Sequence, residues 1–196
     1  MKKAIILFVI IFLAAGVVEA KKKKFIFYVG PELAVPIDPP DFQKWWNAAP
    51  GISGGLAFKP AQRYEWRLRL GFHSFSYQAP EGFDLAEGNI TAVELTGSIK
   101  VNLLTQKRNV IAIPYVLGGV GIVHIEASNV IDTVTQQIVR QLDKQETKPA
   151  LYAGLGIDVP LSRSTALFFE GRYLLVFTKG DATGYAPFTL GIRTFL

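Results

Sequence analysis

His73 and His124 are the only two histidines of the 196-residue chain, and so its only side chains with an ordinary pKa suited to moving a proton near neutral pH. Catalysis would need a hydroxyl or carboxylate held against one of them, and neither stands in a His-x-Ser or His-Asp pattern; His73-Ser74-Phe75-Ser76 is not such a pair. Alternation along the chain gives both histidines inward parity, where an imidazole is an ordinary half-buried polar group. Two histidines with no cysteine are an incomplete zinc set. Glu170 and Arg172 share one strand face and could seat a polar ligand, but opposite charges buried together must be paired in any case. Gly118-Gly119-Val120-Gly121 has the composition of a phosphate loop, yet it interrupts a strand-like run with no helix after it. The expectation is a chain without catalytic residues, metal or cofactor.

The elements that position these residues are strands. The last segment alternates, with Phe188, Leu190, Ile192 and Leu196 on one face and Thr189, Gly191 and Arg193 on the other. In Arg63 to His73, the side chains of Tyr64, Trp66, Leu68, Leu70 and Phe72 oppose Glu65, Arg67, Arg69 and Gly71. Val93, Leu95, Ile99 and Val101 likewise oppose Glu94, Thr96, Ser98, Lys100 and Asn102. Eight such stretches are expected, at about 25–36, 51–60, 63–77, 90–103, 111–125, 149–160, 164–177 and 187–196, each near the 9 to 11 residues that a tilted membrane strand needs. Connections after strands two, four and six are short; those at 37–50, 78–89, 126–148 and 178–186 are read as long.

Parity alone does not say which face is outside. A soluble barrel would have to place Trp66, Phe72 and their counterparts from seven other strands in one narrow interior. A membrane barrel must instead keep charge away from lipid, where Arg or Lys at the midplane costs about 2 to 4 kcal/mol. The alternation assigns Arg67, Arg69, Lys100, Arg172 and Arg193 to the lumen beside Glu32, Glu65, Glu94, Asp158 and Glu170, a structural network of both signs. Gly71, Gly118, Gly154, Gly156, Ser98 and Thr96 are read as the small inward residues that make room for it. Phe58, Tyr64, Trp66 and Tyr115 are read as one interfacial girdle, with Phe72, Tyr173, Phe177 and Phe188 as the other. Eight strands leave an interior filled by side chains, so the barrel is plugged.

At the N-terminus, Lys2 and Lys3 precede an apolar run and Val18-Glu19-Ala20, which reads as a secretory signal peptide over residues 1–20 followed by one barrel domain over 21–196. Lys21 to Lys24 place positive charge after the cut, a feature that opposes translocation and keeps a retained signal anchor as the rival reading. The absence of cysteine excludes a disulfide scaffold and a lipidated cysteine anchor. Lys and Arg are interleaved with carboxylates, so no nucleic-acid partner is expected. In the first long connection, Phe42, Trp45 and Trp46 are contact candidates, for a partner or for lipopolysaccharide headgroups, or else a cap over the barrel mouth. In the third, Val130, Val134, Ile138 and Leu142 fit one face of a short helix, with an extended hairpin as the alternative.

The pattern over the mature chain resembles the small outer-membrane barrels of the OmpA and OmpX type, without their peptidoglycan-binding domain. It is carried by Tyr28-Val29-Gly30-Pro31-Glu32-Leu33, the Pro114 to Gly121 run, the Tyr152 to Leu161 run and Phe169-Glu170-Gly171-Arg172-Tyr173. The resemblance implies an all-β fold, an eight-stranded antiparallel up-and-down transmembrane β-barrel in a bacterial outer membrane. Its implied partners are outer-membrane lipid and lipopolysaccharide, the barrel-assembly machinery and an extracellular partner of the loops. It also implies an assembly signal in Thr189, Gly191, Thr194 and Leu196, which departs from the usual form in lacking a terminal aromatic. The expected role is non-enzymatic, structural or surface-binding; a lipid-modifying outer-membrane hydrolase and a soluble periplasmic ligand carrier are the alternatives.

Overall fold

The structure is a computed structural model that describes residues 24–78, 86–104, 111–132, 138–140, 144–178 and 182–196. The signal peptide and Lys21 to Lys23 lie outside the described residues. Strands at Lys24–Asp38, Ala49–Lys59, Tyr64–Ser76, Asn89–Asn102, Ile113–Ala127, Lys144–Pro160, Thr165–Phe177 and Ala182–Phe195 form a closed antiparallel barrel. Each pairs with its chain neighbours, and the first closes on the eighth through Tyr28 opposite Arg193 and Glu32 opposite Thr189, so the sheet has no free edge. A 13-residue strand such as Tyr64–Ser76, at ~3.3 Å per residue and a tilt of about 40°, rises about 30 Å, the thickness of a hydrocarbon core.

The two faces of the wall have opposite chemistry. Outward residues are apolar and open, Leu70 being 58% and Leu155 69% exposed, and no described charged side chain lies in the middle of that face. Inward residues include ten buried charged side chains. A wall that is apolar outside and charged inside is a transmembrane barrel, and the soluble-carrier alternative is overturned by it. Leu70 stands midway along the third strand. Leu70→Arg is expected to cost about 2 to 4 kcal/mol in urea unfolding from bilayers, whereas Leu70→Phe changes little.

The structure corrects three readings. The fifth strand has Ile113, Tyr115, Leu117 and Val123 buried, so its odd positions face in. Tyr115 is therefore a lumen residue and not part of a girdle, while Gly118 and His124 belong to the outward face. The eighth strand begins at Ala182, leaving only 178–181 between it and the seventh, so that connection is short. In the third outer connection the described pieces are strands, Val130–Asp132 and Ile138–Arg140, which pair with each other and with Ala86–Glu87 in a small sheet. This is the hairpin and not the helix; Val134 and Leu142 lie outside the described residues.

Candidate functional site

The interior of the barrel is built in two storeys. The lower one, on the side of the short turns, is electrostatic. Because side chains at i and i+2 share a face, the third strand alone delivers Glu65, Arg67, Arg69 and His73 inward, and the seventh adds Glu170 and Arg172. Glu170 accepts from Arg67, from Arg69 at 2.9 Å and from the hydroxyl of Tyr115 at 2.9 Å. Glu32 accepts from Arg69, from Arg172 at 3.0 Å and from the Thr189 hydroxyl, and faces His73 Nε2 at 2.9 Å. Arg172 also donates to Glu94 at 2.9 Å. Nearer the short turns, Asp158 accepts from Lys100 and Arg193, each at 2.6 Å, and Arg193 reaches Glu65.

Five carboxylates (Glu32, Glu65, Glu94, Asp158, Glu170) thus meet five cations (Arg67, Arg69, Lys100, Arg172, Arg193) inside one wall, all buried. Burying charge is costly unless it is paired and hydrogen-bonded, and here each carboxylate has at least one cation within 4 Å. Aromatic rings complete the lining: the Arg67 guanidinium lies 4.3 Å from the Tyr28 ring and Lys100 Nζ 3.6 Å from that of Tyr115. All ten charged residues assigned to the lumen from the sequence are placed there.

The upper storey is apolar, and the sequence reading missed it. Phe75, Tyr152, Leu174, Val176 and Tyr185 form a buried cluster above the charges. It is closed by a short helix, Pro40–Trp45, in which proline occupies the first turn and Asp41 and Lys44 sit at the ends that suit their charges. Trp46 is buried in the cluster, Phe42 packs on Phe75, and the Trp45 ring stacks on Tyr77. Backbone bonds from Asn47 to Ser76 and from Gln78 to Trp45 tie the helix to the tip of the third strand. The three contact candidates are thus turned onto their own barrel, as a cap. Trp46→Ala is expected to cost about 3 to 5 kcal/mol and to lower the urea midpoint accordingly.

The histidines are not brought together. His73 is fully buried, between Glu32 and the rings of Phe75 and Tyr185. His124, on the outward face, has its Nδ1 at 2.8 Å from the Thr147 hydroxyl. Glu170 and Arg172 lie in the network without a direct hydrogen bond to each other, their nearest approach being 3.6 Å. Among the described residues, no group of three or more His, Asp and Glu could hold a metal. Of the assembly-signal residues, Thr189 is bound between Arg69 and Glu32, and Gly191 lies against the Phe168 ring. Thr194 is half-buried on the outer face, and Leu196 donates its N–H to Phe25 at 2.8 Å.

No protein-family model matches the chain, and no curated protein matches it in sequence. Solved structures match its fold. One is Ail, the attachment invasion locus protein of Yersinia pestis, in complex with the heparin analogue sucrose octasulfate; its TM-score is 0.55 at 12% identity, over 89% of this chain and 99% of that one. A second is Neisserial surface protein A, with a TM-score of 0.51 at 13% identity over 88% and 96%. A third is the Yersinia pestis outer membrane protein Ail in a phospholipid bilayer nanodisc, with a TM-score of 0.50 at 14% identity over 89% and 100%. At these identities the likeness is one of fold: the chain is built as a small eight-stranded barrel of this kind.

Proposed function

We propose that this chain is an integral protein of a bacterial outer membrane, non-enzymatic, in which a plugged and rigid barrel holds the long connections at the cell surface, where they contact envelope lipopolysaccharide or an external partner. The observation that carries this reading is the closed interior. Paired charges fill the lower storey and packed rings the upper, which suits a scaffold better than a wide pore or a ligand carrier. The apolar outer wall and the likeness to barrels such as the outer membrane protein Ail support the location. Ail's complex with sucrose octasulfate illustrates what a barrel of this fold can bind. In this chain, Lys44 of the cap helix and Lys148 near the outer end of the sixth strand are engaged by Trp45 and Glu146. Export through residues 1–20 and recognition of the closing strand by the barrel-assembly machinery belong to the same reading. Density-gradient fractionation of expressing cells tests it: the protein should band with the outer membrane, and protease added to intact cells should cut only in the long connections.

The hydrolase alternative needs an imidazole working on a hydroxyl or water at a lipid-facing opening. His73 is sealed in the lumen; His124 with Thr147 is a cross-strand pair on the outward face. His73→Ala with His124→Ala is expected to leave the lipid profile of expressing cells unchanged; an altered acyl pattern in the wild type that the double variant abolishes would support the hydrolase.

A further inference from the structure

The charges outside the lumen are segregated by end. Once the leader and the lumen are set aside, the sequence has ten carboxylates, and all lie in the four outer connections or the strand ends flanking them, with five cations among them. Among the described residues outside the lumen, the opposite end, where the first strand starts and the short turns lie, has the cations Lys24, Lys59, Arg63 and Arg163 and no Asp or Glu. Of these, Arg63 and Arg163 are described as exposed.

Their height on the wall gives the segregation a chemical meaning. Arg63 immediately precedes the exposed Tyr64, and Arg163 follows the exposed Leu161 by two residues. At ~3.3 Å per residue their stems therefore start within about 7 Å of lipid-facing side chains, beside the apolar band. Ile111, 84% exposed in the connection between the fourth and fifth strands, extends the apolar fringe to the same end. Long cationic side chains beside an apolar fringe run their stems along the hydrocarbon and place their charge at the interface.

We propose that this rim binds anionic glycerophospholipid headgroups of the leaflet it meets, with Arg63 and Arg163 as phosphate contacts; the proposal rests on the transmembrane reading. The net-acidic long-loop end has no such affinity, so the lipid preference is one-sided. A water-soluble polyanion would be the occupant if the cations stood clear of the apolar band, and they do not.

The test uses the full chain folded into phosphatidylcholine vesicles with trace spin-labelled phosphatidylglycerol or phosphatidylcholine. Electron paramagnetic resonance then gives the relative association of each lipid with the barrel wall. Phosphatidylglycerol should be preferred by about fivefold at low salt, the effect of roughly one interfacial cation. The preference should fall toward parity in Arg63→Gln/Arg163→Gln and stay unchanged in Lys148→Gln at the other end. Equal association of the two lipids with the wild type, or a preference that survives the double variant, overturns the proposal. Should the double variant not fold, 1 M salt, which shortens the screening length to about 3 Å, must abolish the preference in the wild type; a salt-insensitive preference overturns it equally. Protein that never enters vesicles would count against the transmembrane reading itself, whereas a folded, inserted barrel without lipid preference counts against the rim alone.

Discussion

Arg69→Met should lower the stability of the folded barrel by about 3 to 5 kcal/mol, the usual cost of removing one partner from a buried ionic cluster. Arg69 sits at the centre of the lumen, where it donates to Glu32, to Glu170 at 2.9 Å and to Thr189 at 2.8 Å, and its Nε lies 3.7 Å from Glu94. Methionine keeps much of the stem but leaves the lumen with five carboxylates and four cations. Arg172 can serve Glu32 and Glu94, and Arg67 can serve Glu170, so the variant still closes, at lower stability. Removing a carboxylate from the same cluster restores the balance. Arg69→Met/Glu32→Gln should therefore be less destabilised than the sum of the two single variants, by about 0.5 to 3 kcal/mol. Urea unfolding from phospholipid bilayers measures all four corners of the cycle. Strict additivity would mean that the lumen charges act independently and that the network is not a unit.

Gly156→Val is the second large effect, and it acts through shape. Gly156 faces inward on the sixth strand, opposite Tyr115 on one side and Glu170 on the other. A Cβ at this position would stand 2.5 Å from the Tyr115 ring and 2.5 Å from the Phe169 carbonyl oxygen. The ring lies where a side chain would otherwise be, an aromatic covering a glycine on the neighbouring strand. Valine must push it away, which breaks its hydrogen bond to Glu170 and its contact with Lys100. Overpacking at about 1 to 3 kcal/mol and a lost bond to a buried carboxylate at about 1.5 to 3 kcal/mol combine to roughly 3 to 6 kcal/mol. Refolding yield in bilayers should drop with it. Adding Tyr115→Val should recover part of the loss by removing the ring, although the Phe169 carbonyl still obstructs. No recovery would show that the ring is not what the glycine accommodates.

The third, fourth, seventh and eighth strands were legible because each has polar or charged residues at alternate positions, which fix the inward face without ambiguity. Asp158 does the same for the sixth. The fifth strand, Ile113–Ala127, has no charged side chain before Glu126, and its glycines interrupt the pattern. A parity error moves every side chain of a strand to the other face, so the misplacement of Tyr115, Gly118 and His124 is one error and not three. The apolar upper storey was hidden differently: Phe75, Tyr152, Leu174 and Val176 keep the inward parity of the charged residues on their own strands, but an apolar side chain on the inner face reads like a lipid-facing one. The start of the eighth strand was obscured by Gly184, a residue type that ordinarily marks a turn and not a strand interior. Gly184 instead lies against the Tyr173 ring, whose hydroxyl donates to Asp38 at 2.8 Å across the barrel seam. The cap was only half legible: aromatic clustering flagged Phe42, Trp45 and Trp46, but their inward direction depends on the tie between the helix and the third strand.

Electrophoresis of the membrane fraction in SDS, with and without boiling, tests the central claim most directly, because a closed barrel with a packed lumen resists cold SDS and migrates apart from its unfolded chain. The structure predicts two mobilities, a cold form converted to a slower or faster one on heating, with Arg69→Met and Gly156→Val converting at lower temperature than the wild type. A protein recovered in the soluble fraction, with one mobility at every temperature, would contradict the apolar-out, charged-in barrel.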